Sequence, residues 1–357
     1  MTTPTQAASE HPLAFDLEAA LARLEPWLGD LRGARLFITG GTGFYGSWLL
    51  ETLLWAEDRL RLGVRVVVLT RRPEAFGRRA PHLARHPAVC LHPGDLRGFR
   101  FPDGSFTHVI HAGSELVVAE AGGGMDLLET TLGGIRRVGE LAHERGVRRL
   151  LYASSGAVYG PAVPGRGPAG EDDPPRALAS DAGSAYGEAK RLGELGCMLL
   201  GSQYGFDVIR ARGFAFLGPY LPLDSHRAAA QFLADALEGR CPRVLGTGTA
   251  VRSYLYGGDL AVWLWVLLLR GAAGRAYNVG SDQPITIQGL AAAVAAAADL
   301  PAPAVSSRGL GLGEGVDYYV PDITRAREEL GLGVFTPLAD AIRRTLAWHR
   351  HGVRACA

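Results

Sequence analysis

Among the 37 basic residues of this 357-residue chain one is lysine, and the rest are arginine. That lysine is Lys190, four positions after a tyrosine in the run Ser184-Ala185-Tyr186-Gly187-Glu188-Ala189-Lys190. The two cationic side chains are not interchangeable: lysine is a compact, rotatable ammonium and arginine a wide planar fork. On a helix, Tyr186 and Lys190 at i and i+4 lie on one face within reach of each other. An ammonium beside a phenol favours the phenolate and lowers a pKa that starts near ~10. The pair would then be a proton donor and acceptor usable at neutral pH. A tyrosine–lysine spacing alone is a common pattern on helix surfaces. It gains weight from being the only lysine and from what lies upstream.

Arg35 to Thr39 reads as a buried strand that runs into Gly40-Gly41-Thr42-Gly43-Phe44-Tyr45-Gly46 and then an apolar helical stretch to Trp55. Gly41-x-Gly43-x-x-Gly46 between a strand and a helix is the dinucleotide-binding fingerprint in its required context. The glycines permit a tight turn and close approach of a pyrophosphate, and the helix N-terminus supplies N–H groups and partial positive charge. The next strand, Val64 to Thr70, ends in Thr70-Arg71-Arg72. An NAD site usually carries a carboxylate there for the ribose 2′-hydroxyl, whereas arginine suits a 2′-phosphate. The cofactor expected is NADP or NAD, with a lean to NADP.

Further strands read at Ala88–His92, Thr107–His111, Arg148–Ser154 and Phe206–Arg212, with long helices over 126–145 and 184–203. This alternation predicts right-handed βαβ units and a parallel sheet, an α/β fold of the Rossmann, doubly wound type. The Pro/Gly-rich segment 161–175 reads as a surface loop. Residues 1 to about 12 read as disordered, followed by a short helix from Ala14 to Leu28. Beyond Gly218-Pro219-Tyr220, helices are expected near 226–238, 259–270, 286–299, 322–330 and 337–350, with short strands near 251–256 and 276–280. The resulting division is an N-terminal extension over 1–30, a dinucleotide-binding domain over 31–212 and a smaller α/β substrate-binding cap over 213–357, some of whose segments return to the main sheet.

Composition narrows the function classes. A net charge of +1 argues against nucleic acid or an anionic membrane as the partner. Cys90, Cys197, Cys241 and Cys356 lack metal or redox spacing, which fits a reducing cytoplasm. The longest apolar run, Ala261 to Leu269, is about half the ~20 residues of a membrane helix. The ten histidines show no paired metal spacing, so no metal is expected; His108 and His111 read as strand-end packing.

Further pieces occur in order: Gly94-Asp95-Leu96, His111-Ala112-Gly113-Ser114, Tyr152-Ala153-Ser154-Ser155-Gly156-Ala157-Val158-Tyr159-Gly160, Gly218-Pro219, Arg252-Ser253-Tyr254-Leu255-Tyr256 with Asp259, and Tyr277-Asn278-Val279-Gly280. With the glycine-rich turn and Tyr186-x-x-x-Lys190, they resemble the extended short-chain dehydrogenases/reductases, in the nucleotide-sugar epimerase and dehydratase branch, over about 35–350. The resemblance implies that Gly40, Gly43 and Gly46 hold the pyrophosphate and Asp95 the adenine. It also places Phe44, Tyr45, Arg71, Arg72, Leu96, His111, Ala112 and Gly113 against the cofactor. Ser155 would hydrogen-bond the sugar's reacting oxygen, Tyr186 would be the acid/base, and Lys190 would bind the nicotinamide ribose. Ser114 and Ser155 would touch substrate, and Arg252 would grip its diphosphate, to which a guanidinium fork is suited. Such relatives are commonly homodimers through the two long helices, with Gly193 and Gly196 available for close approach.

Departures from the family pattern narrow the reaction. Its 4,6-dehydratases carry Asp-Glu after the catalytic Ser/Thr; here those positions are Gly156 and Ala157, which cannot exchange a proton. Dehydration needs an acid and a base beyond the tyrosine, so a 4-epimerase using the bound cofactor twice is the first expectation. Ala215 and Thr131 replace asparagines usual in those enzymes, which makes the sugar end of the pocket unusual. The alternatives are an NADPH-dependent 4-ketoreductase of a nucleotide-linked 4-keto-6-deoxy sugar, and a non-catalytic NADP-sensing protein.

Overall fold

The structure is a computed structural model and describes residues 11–113, 124–161, 167–174, 184–303 and 317–354. Its strands are short apolar runs: β1 (Arg35–Thr39), β2 (Arg65–Thr70), β3 (Val89–Pro93), β4 (His108–His111), β5 (Arg149–Ser155) and β6 (Asp207–Gly213). The two-residue strands β7 (Phe216–Leu217), β8 (Val251–Arg252) and β9 (Leu255–Tyr256) follow, then β10 (Ala276–Val279), β11 (Ile285–Thr286) and β12 (Tyr318–Tyr319). The helices are α1 (Ala14–Leu28), α2 (Phe44–Leu60), α3 (Pro73–Arg79), α4 (Pro81–Ala84), α5 (Gly124–Glu144), α6 (Ala185–Tyr204), α7 (Ala228–Leu237), α8 (Gly257–Arg270), α9 (Ile287–Ala297), α10 (Thr324–Leu330) and α11 (Leu338–Arg354).

Seven strands form one sheet in the order β10-β6-β5-β4-β1-β2-β3. The pairs β1–β2, β2–β3, β1–β4, β4–β5 and β5–β6 are all parallel. Strands buried on both faces become near-continuous hydrophobic runs, as in Val66-Val67-Val68-Leu69 of β2, every residue of which is buried. The direction of winding reverses between β1 and β4. In open α/β sheets the carboxyl ends at such a switch point form the ligand crevice. Both the glycine-rich turn after β1 and the His111-Ala112-Gly113 segment after β4 lie there.

The chain divides into two compact units: Met1–Gly160, Pro174–Gly213 and Ala261–Tyr277 in the first, and Pro161–Asp173, Phe214–Leu260 and Asn278–Ala357 in the second. The first unit is centred on Phe37, Phe106, Val109, Ile135, Leu150 and Tyr152. Its α5 and α6 lie side by side, with Gly139 against Leu200 and Gly196 against Ile135. The two glycines named for a dimer contact thus face inward: Gly196 meets Ile135, and Gly193 meets Tyr152. The second unit is centred on Leu217, Phe232, Leu233, Leu290, Val294 and Ile342. In it the Asp259 carboxylate accepts hydrogen bonds from Phe335 N (2.9 Å), Thr336 N (2.8 Å) and Thr336 Oγ1 (2.9 Å).

Several elements depart from the sequence expectation. The segment 251–256 is not one strand but two, β8 pairing with β11 and β12 while β9 pairs with β7. Two-residue strands carry no readable period. The short helices α3 and α4 were not anticipated; each begins on a proline, Pro73 or Pro81, whose fixed φ suits the first helical turn. Of the segment expected to be disordered, residues 1–10 lie outside the described residues, and the expected 161–175 loop is described at 161 and 167–174. Among the described residues, no helix is long and apolar enough to cross a membrane.

Candidate active site

The turn after β1 closes against the end of β4. Gly40 has φ +71°, and a Cβ there would sit 2.5 Å from the Ala112 carbonyl carbon and 2.6 Å from Gly113 N. A side chain at residue 40 would need both a left-handed backbone and space that the neighbouring chain fills. Gly46 lies equally close to Gly41, a Cβ there falling 2.2 Å from Gly41 Cα. Gly43 caps α2, and Phe44 and Tyr45 open its first turn with their rings edge to face, 6.3 Å apart. The first-turn N–H groups of α2 and its dipole make this a site for an anionic diphosphate. The glycine cradle therefore fits a dinucleotide.

Thr39 and His111 pin the two strand ends together. Gly113 N donates to Thr39 Oγ1 (3.0 Å), and that hydroxyl lies 2.7 Å from His111 Nδ1. Burial, reinforced by the Lys190 charge, lowers the His111 pKa to about 3, so the imidazole is neutral. Thr39 was not singled out from the sequence, because its partners lie more than seventy residues away.

Ser155 ends β5 and caps the 3₁₀ turn Gly156–Tyr159, its Oγ accepting from Ala157 N at 3.2 Å. The hydroxyl keeps its own proton to donate. α6 packs against β5 and against this turn. Tyr186 is half-buried near the start of α6, and Lys190 is buried one turn on. Lys190 Nζ donates to Ala153 O (2.8 Å) and stands 5.3 Å from the Tyr152 ring centroid and 5.9 Å from that of Tyr186. Burial pushes the Lys190 pKa down to about 8, against an opposing pull from Cys197 and Glu194. The Cys197 thiol is itself pushed up to about 12, chiefly by burial, so it is uncharged where Lys190 titrates and the effective countercharge is Glu194.

Glu194, missed by sequence reasoning, is the most heavily bonded side chain near this pair. Its Oε1 accepts from Ser154 Oγ (2.6 Å) and Arg212 Nε (2.9 Å), and its Oε2 from Arg212 Nη2 (2.8 Å) and Arg210 Nη1 (3.2 Å). Arg212 Nη1 also donates to Tyr159 Oη (2.9 Å). The available signal was the i, i+4, i+8 spacing of Tyr186, Lys190 and Glu194.

The remaining candidates are placed as follows. Asp95, half-exposed after β3, accepts from the Arg97 backbone N–H (3.1 Å) and Nε (2.9 Å). Burial alone would raise its pKa, but these bonds and the Arg97 and Arg71 charges hold it below the usual carboxylate range. Leu96 packs on α5, where a Cβ at Gly134 would meet it at 2.6 Å. Arg71 and Arg72 are exposed beyond β2. Ser114 lies outside the described residues. Arg252 belongs to the second unit, where it pairs with the Asp317 carboxylate and donates to Asp317 O (3.1 Å).

A separate cluster joins His11, Glu51 and His82: the buried Glu51 carboxylate lies 3.4 Å from His11 Nε2 and 2.8 Å from His82 Nε2. His11 Nδ1 accepts from Leu13 N (3.2 Å), which leaves the neutral imidazole's proton on Nε2, facing Glu51. That tautomer makes the cluster a hydrogen-bonded set rather than a set of lone pairs aimed at a cation.

Residues 36–280 match the family described as the NAD dependent epimerase/dehydratase family. A dTDP-glucose 4,6-dehydratase of Streptomyces niveus is 26% identical over 339 residues, covering 88% of this chain and 93% of that protein. Among solved structures, the epimerase Mth375 of Methanothermobacter thermautotrophicus superposes with a TM-score of 0.77 at 22% identity, over 97% of this chain and 98% of that one. The dTDP-glucose 4,6-dehydratase DesIV of Streptomyces venezuelae, solved with NAD bound, gives 0.74 at 23% identity, over 90% and 98%. The structural likenesses show a shared fold, and the match over most of the chain shows the family. With its dinucleotide cradle at the β1/β4 switch point and Ser155, Tyr186 and Lys190 gathered around the end of β5, the chain belongs to the NAD dependent epimerase/dehydratase family.

Proposed function

We propose that this chain is an NAD-dependent nucleotide-sugar epimerase that inverts a sugar carbon, C4 in our reading, through a transient ketone. The observation that carries the proposal is the setting of Lys190: a buried ammonium on the Tyr186 face of α6, beside the strand end that carries Ser155. Tyr186 takes the proton of the sugar hydroxyl as phenolate and returns it in the second half of the cycle. Lys190 stabilises that phenolate. Ser155, whose Oγ already accepts from Ala157, donates its proton to the reacting oxygen. Bound NAD would supply the hydride acceptor and, for the return, the hydride donor.

Epimerisation is favoured over dehydration by the turn after Ser155. Gly156, Ala157 and Val158 contain no titratable side chain, so an elimination would lack its second acid and base. Cofactor identity is assigned to NAD on the family description and on the relative solved with NAD. The exposed Arg71-Arg72 pair favours the second reading, an NADPH-dependent 4-ketoreductase. We assign the sugar nucleotide to the 213–357 part of the chain, where Arg252 would exchange Asp317 for the diphosphate. A homodimer through α5 and α6 is supported by four exposed apolar side chains on those helices: Met125, Leu132, Leu195 and Leu199.

Denaturing the purified protein and identifying the released cofactor separates the readings. Retained NAD, with interconversion of two epimeric nucleotide sugars, is the expected result. An empty site that binds NADPH and consumes it on a 4-keto sugar nucleotide replaces the epimerase with the reductase. Tyr186→Phe should lower kcat by ~10²–10⁴-fold with cofactor retained. A protein that binds NADPH tightly and turns over no nucleotide sugar would leave only the sensor.

A further inference from the structure

We infer that Glu194 is a positioning residue: clamped by Ser154, Arg210 and Arg212, its carboxylate supplies the countercharge for the Lys190 ammonium and ties the strand end carrying Ser155 to the helix carrying Tyr186. The inference rests on the reading of Lys190 as the group that holds the Tyr186 phenolate. Tyr186, Lys190 and Glu194, at i, i+4 and i+8, share the face of α6 that packs on β5. Both Lys190 and Glu194 are buried, and each makes its bond to adjacent residues of β5, Lys190 to Ala153 O and Glu194 to Ser154 Oγ. The next residue is Ser155, so one carboxylate fixes the height of the reactive serine against the reactive tyrosine.

The electrostatic role follows from who else faces the ammonium. On α6 the groups are Tyr186, Glu194 and Cys197, from β4 comes His111 and from β5 Tyr152; Arg210 and Arg212 of β6 face the Glu194 carboxylate instead, and Tyr159 of the 3₁₀ turn bonds Arg212. His111 is neutral because burial drives its pKa down to about 3, and burial likewise keeps Tyr152 and Cys197 protonated. The two arginines are cationic. Among the described residues Glu194 is thus the anion of the set, and it serves three cations at once. A carboxylate with both oxygens doubly bonded cannot turn away from that task, because any rotation breaks a bond to β5 or β6.

The single lysine makes the test direct. In full-length protein grown with ¹³Cε/¹⁵Nζ-lysine, one side-chain signal reports Lys190 alone. Glu194→Gln removes the charge and keeps the shape, and the Lys190 titration should move to lower pH by about one unit. Glu194→Asp, which keeps the charge, should recover most of that shift. Arg210→Gln removes a cation from the same carboxylate and should move the titration the opposite way. A folded Glu194→Gln protein whose Lys190 titrates where the wild type does overturns the inference. If Glu194→Gln does not fold, Arg210→Gln decides: an unmoved or lowered titration also overturns it. The signal needs no substrate, so a shifted titration in a protein that turns over no nucleotide sugar sinks the proposed function and leaves the role of Glu194 standing.

Discussion

Replacing Lys190 with methionine keeps the length and apolar stem of the side chain and removes its charge. The structure allows the stability change to be worked out. The Lys190 pKa falls from 10.5 to about 8, burial being the main cause and Cys197 and Glu194 opposing it. A gap of that size amounts to ~3 kcal/mol at ~1.36 kcal/mol per pKa unit. The sign is fixed by proton counts. Between pH 8 and 10.5 the unfolded chain keeps the proton that the native one has released, so native stability rises with pH across that window. Below it both states are charged and the full cost is present. Methionine removes the cost but also the bond to Ala153 O, worth ~1 kcal/mol. Lys190→Met should therefore be ~2 kcal/mol more stable than the wild type at pH 7, with the advantage fading through the window and reversing to about 1 kcal/mol less stable above it. Cys197, raised to about 12 chiefly by burial and against the pull of Lys190, stays protonated in both native proteins up to pH 10, so its destabilising effect above its unfolded value cancels in the difference over the range measured. Urea unfolding of both proteins at pH 7 and pH 10 measures this, and turnover at pH 7 should be lost in the more stable variant. A variant less stable at pH 7, by an amount that does not change with pH, would refute the claim that the site holds its ammonium at an energetic cost.

Gly193→Ala would put a Cβ 2.0 Å from Tyr152 Oη and 2.5 Å from its Cζ. Overpacking of ~1–3 kcal/mol should outweigh the ~1 kcal/mol that alanine gains in a helix, and thermal melts should show Tyr152→Phe restoring part of the loss. In the homodimer proposed through α5 and α6, Leu195→Glu with Leu199→Glu, both on the exposed face of α6, should halve the mass seen by light scattering; a wild type of monomer mass, or a variant that keeps the dimer mass, would refute the assignment of that face.

The long, strongly periodic parts of the fold were legible. α1 and β1 fall on the ranges read from sequence, and β2 to β6 differ from theirs by a single residue, because glycine and polar residues bound each apolar run. What was illegible depends on pairing across the chain. The strand β10 lies at residues 276–279 yet is the edge of the main sheet, beside β6, and nothing local in Ala276–Val279 says which sheet it joins. The candidate site divides in the same way. Tyr186 and Lys190 were legible because four residues on a helix make one face. The bonds of Glu194 were not: its partners Ser154 and Arg212 are forty and eighteen residues away and meet it only because β5 and β6 pair with Ser154 opposite Arg212.

The rarity of lysine acquires a physical meaning from what the arginines do. Arg212 spans both oxygens of Glu194 and still reaches Tyr159 Oη, and Arg137 divides its donors between the Phe99 carbonyl (Nε and Nη2) and the Glu140 carboxylate (Nη1) while packing on the Phe101 ring. Each site offers a broad or divided acceptor, which a planar fork satisfies. At Lys190 the acceptor is a single carbonyl, Ala153 O, and the walls are the faces of two tyrosine rings. A guanidinium there would bury donors with no second acceptor, whereas an ammonium can turn one hydrogen to the carbonyl and direct the others to the phenol side of the site. At these three sites the residue type follows the geometry: arginine where the acceptors are divided, and lysine where one buried carbonyl sits between two rings.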